Sequence, residues 1–177
     1  MRKIIIAALM MFTTSVYAQE AIDPNLAAAH VVVALQSIAS RNVDPLKQVV
    51  VSVCVMRSDN EAFNIIPHRV MLKGTVRTLD AEVRSLAEKR LGEIASLTAQ
   101  AHGCVADVDY VRGYPATVNH AAETGFAADA AEAITPRVER NTPPIMAGED
   151  FSYMLEERPG AYIQLGNGGG ATVHHPE

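Results

Sequence analysis

The chain has 177 residues, 49% of them apolar and 20% charged, enough for one ordinary domain or two small ones and too apolar for wholesale disorder. Its 15 basic and 20 acidic residues give a formal net charge of -5, the wrong sign for a duplex-binding surface, and the lack of Trp with only 5% aromatics speaks against a stacking platform for single strands. Nucleic acid is therefore not an expected partner. The cysteines, Cys54 and Cys104, are too few for a disulfide scaffold and lack the close pairing of a zinc knuckle.

Residues 1–18 read as a secretory signal peptide. Arg2 and Lys3 form the positive start, Ile4 to Phe12 the apolar run, and Val16-Tyr17-Ala18 the approach to a cut before Gln19. The run is too short to span a bilayer of about 30 Å. Export to the periplasm or the medium follows, with no membrane contact after cleavage. The alternative is an N-terminal core strand or helix, since Ile4-Ile5-Ile6 suits a strand.

Asp23-Pro24 opens a helix expected to run to about Ser40, because Asp caps well and Pro is favoured at the first helical position. Leu26, Val33 and Ile38 are among its apolar positions. Val49 to Met56 is a β-branched strand, and His68 to Arg77 alternates as a second. Val70, Leu72 and Val76 point one way and Arg69, Lys73 and Arg77 the other, which suits an antiparallel pair with one wet face. Asp80 caps a long helix whose apolar positions are Val83, Leu86, Ala87, Leu91, Ile94, Leu97 and Ala101, closed by Gly103. Val105 to Val111 alternates and is expected to be a strand. Helix, strand, strand, helix, strand is the order of a split βαβ (ferredoxin-like) sandwich without its first strand, which in that topology is central.

A second region begins near Asn119, with an Ala-rich helix from Ala121 to Ile134 that stops before Pro136. Pro143-Pro144 leads to Glu149-Asp150, where a short helix is expected to start, and Ala161 to Leu165 is expected to be a strand. The Gly-rich stretch at 166–170 lacks the Lys and Ser/Thr of a phosphate loop and reads as a surface loop. No Gly-x-Ser-x-Gly elbow is present, so a Ser-His-Asp nucleophile is unsupported.

Three sets of residues are candidates for chemistry. His174-His175 is a possible metal site, although adjacent rings do not easily turn onto one ion, and a solvated tail is the plainer reading. Glu149-Asp150 is either an active-site acid pair or charge placed at a helix N-terminus. Asn64 and Arg77 offer an amide and a guanidinium fork for a carboxylate, or else a turn Asn and a solvent-facing Arg.

Several motifs occur in order: Ala21-Ile22-Asp23-Pro24, Ala34-Leu35-Gln36-Ser37-Ile38, Ser40-Arg41, Asn64-Ile65-Ile66-Pro67, Gly74-Thr75-Val76-Arg77-Thr78, Ala147-Gly148-Glu149-Asp150-Phe151-Ser152 and Val173-His174-His175-Pro176. Together they resemble the metal-dependent amidohydrolases of the aminoacylase and carboxypeptidase branch, which includes hippurate and auxin-conjugate hydrolases. The likeness runs from residue 21 to the end. It implies an α/β chain in which residues 21–114 are a ferredoxin-like lid or dimerisation domain lacking its first strand. Residues 115–177 would be the C-terminal piece of a two-metal α/β catalytic domain. It further implies that Asn64 and Arg77 reach the substrate carboxylate, often across a dimer, that Glu149 and Asp150 line the active site without ligating, and that His174 is a metal ligand. The implied cofactor is a divalent metal, zinc or manganese, the substrate an N-acyl amino acid, and the association a homodimer through the lid.

The family's remaining ligands, and the Glu that acts as general base, belong to an N-terminal half that finds no match in this sequence. The expectation is therefore a signal peptide joined to the C-terminal half of an amidohydrolase, inactive alone and without a stoichiometric metal pair. The alternative is a non-catalytic dimerisation module or the product of a degraded or mis-called gene.

Overall fold

The structure is a computed structural model that describes residues 22–166. The expected signal peptide, His174 and His175 lie outside the described residues. The chain divides into two compact units between Val111 and Arg112.

In the first unit, helix α1 spans Pro24–Leu35, and the Asp23 carboxylate accepts the Asn25 N–H at 2.8 Å. It buries Ala27, Ala28, Val31 and Leu35. Leu26 and Val33 are 52% and 71% exposed, so the buried stripe is not the one expected at those two positions. The two small residues let the helix lie close to its neighbours. A π-turn, Ile38–Asn42, follows, in which the Val43 N–H donates to the Ile38 carbonyl at 3.2 Å. The wider turn keeps Ile38 in the core, where it is fully buried.

Strands β1 (Val49–Ser58) and β2 (Val70–Thr78) form an antiparallel pair in register from Val49↔Thr78 to Ser58↔Val70. The register shifts between Val53 and Val55, leaving Cys54 as an extra residue. Helix α2 (Ala81–Ala101) runs back over the hairpin. Val31, Leu35, Ile38, Val43, Val83, Ala87, Ile94 and Ala95 form one buried cluster, against which Val49, Val51, Val53, Leu72 and Val76 pack. This is the expected arrangement of two helices on the face that carries Leu72 and Val76. Within α2, Leu97 departs from the expected stripe at 65% exposed, and Ala95 and Ala99 are buried instead. Gly103 takes a positive φ of 73°, and the Cys104 N–H returns to the Ala99 carbonyl at 2.9 Å, closing the helix as expected.

The start of α2 is held by Asp80. Its Oδ1 accepts the Glu82 and Val83 N–H groups at 2.8 and 3.0 Å, while Lys47 Nζ sits 2.7 Å from Oδ2. The Lys47 hydrogen bond, then the helix N–H groups, hold the Asp80 carboxyl below its ordinary range. A depressed folded value means that the stabilisation is present at neutral pH and is lost as pH falls through that value. Asp80→Ala should therefore lower the thermal midpoint at neutral pH, with the gap to the parent narrowing below the ordinary Asp value of about 3.9. A gap of constant size down the acid range, read by circular dichroism, would contradict this.

Two expected strands are absent among the described residues: neither 105–111 nor 161–165 joins a ladder, and the sheet has two strands. In a split βαβ sheet the last strand pairs with the first, and among the described residues no strand precedes α1. Segment 105–111 thus has alternation without a neighbour, although Ala106 still packs on the core.

The second unit carries helix α3 (Ala121–Glu132), which buries no residue, and helix α4 (Phe151–Glu157), which buries Ser152 and Leu155. Arg140 ties the end of α3 to the following loop through Asp129 and Glu132. Cys54 is exposed and Cys104 half-buried, and both are free thiols. Among the described residues no helix is long and apolar enough to cross a membrane.

Candidate functional site

The hairpin of the first unit presents a cationic outer face. Across it Val50 opposes Arg77, Ser52 opposes Thr75, Val55 opposes Lys73 and Arg57 opposes Met71. The inward alternation of β2 leaves Lys73 and Arg77 exposed on this side, as their spacing predicts. The extra residue at Cys54 makes the outward position of β1 change parity, so that Val50 and Val55, five apart, share the face. Arg57 and Arg69 have acidic neighbours, Glu61 at 3.9 Å and Asp59 at 3.8 Å.

Gly74 is the steric key to this face. An added Cβ would lie 2.1 Å from the Ser52 carbonyl oxygen, well inside contact distance. The irregular register brings the β1 backbone against Gly74, and only a residue without a side chain fits. Asn64 lies in a turn of the loop between the strands, where it is exposed. Asn60 Oδ1 accepts the Ala62 N–H at 2.8 Å and Ser58 Oγ donates to the Asn60 carbonyl at 2.6 Å, shaping that loop. Arg77 stands roughly 23 Å along β2 from Val70, at about 3.3 Å per residue.

In the second unit, Glu149 is half-buried and Asp150 exposed just before α4. Ser152, fully buried, donates its hydroxyl to the Glu149 carbonyl at 2.6 Å and so fixes the main chain that carries the acid. Asp150 occupies the capping position of α4 but makes no side-chain capping bond, so charge at the helix end is its only capping contribution. The Tyr162 ring packs 5.8 Å from that of Phe151. Burial first, then the charges of Glu149 and Asp150, push the Tyr162 phenol above its ordinary value.

Asn64 and Arg77 therefore belong to the first unit, Glu149 and Asp150 to the second, and His174 falls outside the described residues. Among the described residues no three His, Cys, Asp or Glu side chains come together in a way that could hold an ion. The described residues do not by themselves fit a two-metal centre.

Residues 9–177 match Peptidase family M20/M25/M40. The chain belongs to this family. Among its M20 relatives, the N-acetyl-L-cysteine deacetylase of Bacillus subtilis (strain 168) is 38% identical over 154 residues, covering 87% of this chain and 36% of that protein. The hippurate hydrolase of Campylobacter jejuni is 37% identical over 159 residues, 89% of this chain and 41% of that protein. The chain thus spans about two fifths of the curated M20 proteins it resembles. Among solved structures, the Bacillus subtilis YXEP protein, described as a dinuclear metal binding peptidase of the M20 family, superposes with a TM-score of 0.68 at 27% identity over 89% of this chain and 40% of that one. The expected family is thereby established, as is a mixed α/β fold shared with it. Amide hydrolysis and a divalent metal are properties of M20 relatives.

No role follows from the sequence alone for Asn119, His120, Ser152 or Tyr162. Asn119-His120 directly before an Ala-rich run was the available signal, since polar residues at a helix start commonly hydrogen-bond a neighbouring main chain.

Proposed function

We propose that this chain contributes the substrate-carboxylate face and the C-terminal active-site segment of a divalent-metal amidohydrolase acting on N-acyl amino acids. The observation that carries this reading is the pair of M20 relatives whose names specify N-acetyl-L-cysteine and hippurate. Each of those compounds is an amide with a free carboxylate. An anionic substrate of this kind suits a guanidinium fork on an exposed cationic face, and Arg77 with Lys73 offers one. Asn64 adds an amide donor from the connecting loop. In this reading Glu149 and Asp150 line the active site, His174 ligates zinc or manganese, and the lid associates with a second copy.

A catalytic ion needs at least three protein ligands and a water, and His174 is the one this reading assigns. The chain by itself is accordingly inert. Metal analysis of the purified, dialysed chain should find no stoichiometric pair of zinc or manganese ions, and hippurate or N-acetylcysteine should not be hydrolysed above the buffer rate. Two retained ions per chain with a rate abolished by His174→Ala would overturn the inert assignment. The substrate assignment is tested separately, by replacing the matching segment of the Bacillus deacetylase with residues 22–177 of this chain. The chimera should hydrolyse N-acetyl amino acids, and Arg77→Ala in it should raise KM about tenfold or more, the scale of a lost charge-assisted hydrogen bond. An active chimera indifferent to Arg77→Ala would remove Arg77 from the substrate site.

A further inference from the structure

His120 stands at the N-terminal cap of α3 and makes no side-chain bond to its own helix. Its ring turns instead to a distant stretch of the same unit. Nδ1 accepts the Gly160 N–H at 3.3 Å, and the His120 N–H donates to the Gly160 carbonyl at 3.0 Å. Beside it, the Asn119 amide N–H donates to the Tyr162 carbonyl at 2.9 Å, and the Asn119 side-chain carbonyl accepts the Tyr162 N–H at 2.8 Å. Four hydrogen bonds thus fasten Gly160 and Tyr162 to the start of α3. Gly160 also meets α4: a Cβ added to it would lie 3.1 Å from Leu155 Cδ2 and 3.9 Å from Phe151 Cζ. Leu155 is buried, and the Phe151 ring packs 5.8 Å from that of Tyr162. The fastened stretch is therefore part of the seat of α4.

One of the four bonds depends on a proton. An imidazole nitrogen accepts only while it carries none, so the bond from Gly160 requires a neutral His120 with its proton on Nε2. A proton added at Nδ1 sets two N–H groups against each other. It also places positive charge at the N-terminal end of α3, where the helix dipole opposes it. The Asn119 amide does not titrate, so its two bonds to Tyr162 carry no such dependence. The charged and titratable groups on the elements that meet here are Glu123 in the first turn of α3, Glu156 and Glu157 in α4, and Arg158 and Tyr162 beyond it. Arg158 gives its guanidinium to the Glu157 carbonyl at 2.8 Å rather than to the ring.

We propose that His120 is a proton-operated latch. Neutral, it ties Gly160 to the start of α3. Protonated, it releases Gly160 and loosens the seat of α4, while Asn119 keeps Tyr162 tied in either state. The inference uses contacts within the second unit alone and stands apart from the substrate assignment.

The whole chain, labelled with nitrogen-15, is followed by NMR from about pH 8 to about pH 5, the range in which histidines commonly charge. At the upper end the His120 ring should show the tautomer protonated at Nε2. As the ring charges, protection of the Gly160 amide from solvent exchange, corrected for the pH dependence of intrinsic exchange, should fall about fivefold or more, the scale of one lost hydrogen bond. The nuclear Overhauser contact between the Gly160 Hα and the Leu155 methyls should weaken with it, and protection at Tyr162 should stay unchanged. In His120→Asn a side-chain oxygen that does not titrate replaces the Nδ1 acceptor, so protection at Gly160 should persist and lose its response to pH. Gly160 protection indifferent to the charge on His120, the opposite ring tautomer at the upper end, or an Asn variant that repeats the parent's fall overturns the proposal. The tautomer and the parent titration need no variant, and they decide even where His120→Asn fails to fold.

Discussion

Gly74→Val should destroy the hairpin in its present register and cost roughly 3 kcal/mol or more, the scale of severe overpacking against backbone. A Cβ at this position would lie 2.1 Å from the Ser52 carbonyl oxygen. That atom belongs to the main chain and cannot rotate away, so relief requires β1 to move. Movement of β1 displaces Val51 and Val53 from the core they share with α1 and α2. It also breaks the alignment that puts Val50 opposite Arg77, so the cationic face is lost together with stability. Gly92 is the control. Nothing lies within 4 Å of a Cβ built there, in the middle of α2, and Gly92→Ala should stabilise by about 0.5–1 kcal/mol through lower chain entropy in the unfolded state. Urea unfolding followed at 222 nm separates the two; equal midpoints for Gly74→Val and the parent would show that the bulge and its close approach are not formed.

The second large effect is expected at Val83. It is 4% exposed and shares the main buried cluster with Val31, Leu35 and Ile38. Val83→Asp places an unpaired carboxylate in that cluster and removes two methyl groups, which should cost about 3–5 kcal/mol. Leu97→Asp makes the same kind of exchange on the same helix at a site 65% exposed, and should change stability by about 0.5 kcal/mol or less. Matching midpoints for the two variants would mean that α2 does not dock on the hairpin through the Val83 face. The consequence reaches function, because the docked helices are what hold the inner face of β2 and thereby turn Arg77 outward.

Much of the first unit was legible residue by residue. Asp23-Pro24 and Asp80 are capping signals that act within a few residues, and both caps form as expected. Gly103 likewise closes α2 by a local rule, the ease with which glycine takes a positive φ. The alternation of Leu72 and Val76 against Lys73 and Arg77 assigns the two faces of β2 without any knowledge of its neighbours. The β1 face was less legible, because one extra residue at Cys54 reverses the parity midway. Gly74 inside a strand was the available warning of such an irregularity.

The candidate site divides in the same way. Residue type and order placed Asn64, Arg77, Glu149, Asp150 and His174 in a family whose membership the comparisons establish. Residue type did not reveal that the Ser152 hydroxyl fixes the Glu149 main chain or that the Asn119 side chain bonds the main chain of Tyr162, 43 residues on, because both contacts exist only once the chain has folded.

By itself the sequence determined the family, the caps, the helices and the two-faced hairpin, since each depends on neighbours in the chain or on a motif read in order. Tertiary structure decided the rest. Val105 to Val111 and Ala161 to Leu165 carry strand-like residues, yet neither is in a sheet. A strand is completed by hydrogen bonds to another strand, so alternation is a condition for it and not a cause. The first segment has no adjacent strand among the described residues, and in the second Tyr162 finds its main-chain partners in the side chain of Asn119. Likewise α1 and α2 each offered more apolar positions than they bury, and packing against the hairpin selected Val31 and Val83 while leaving Val33 and Leu97 in water. Burial is a property of what stands opposite a side chain, and that is set only when the elements meet.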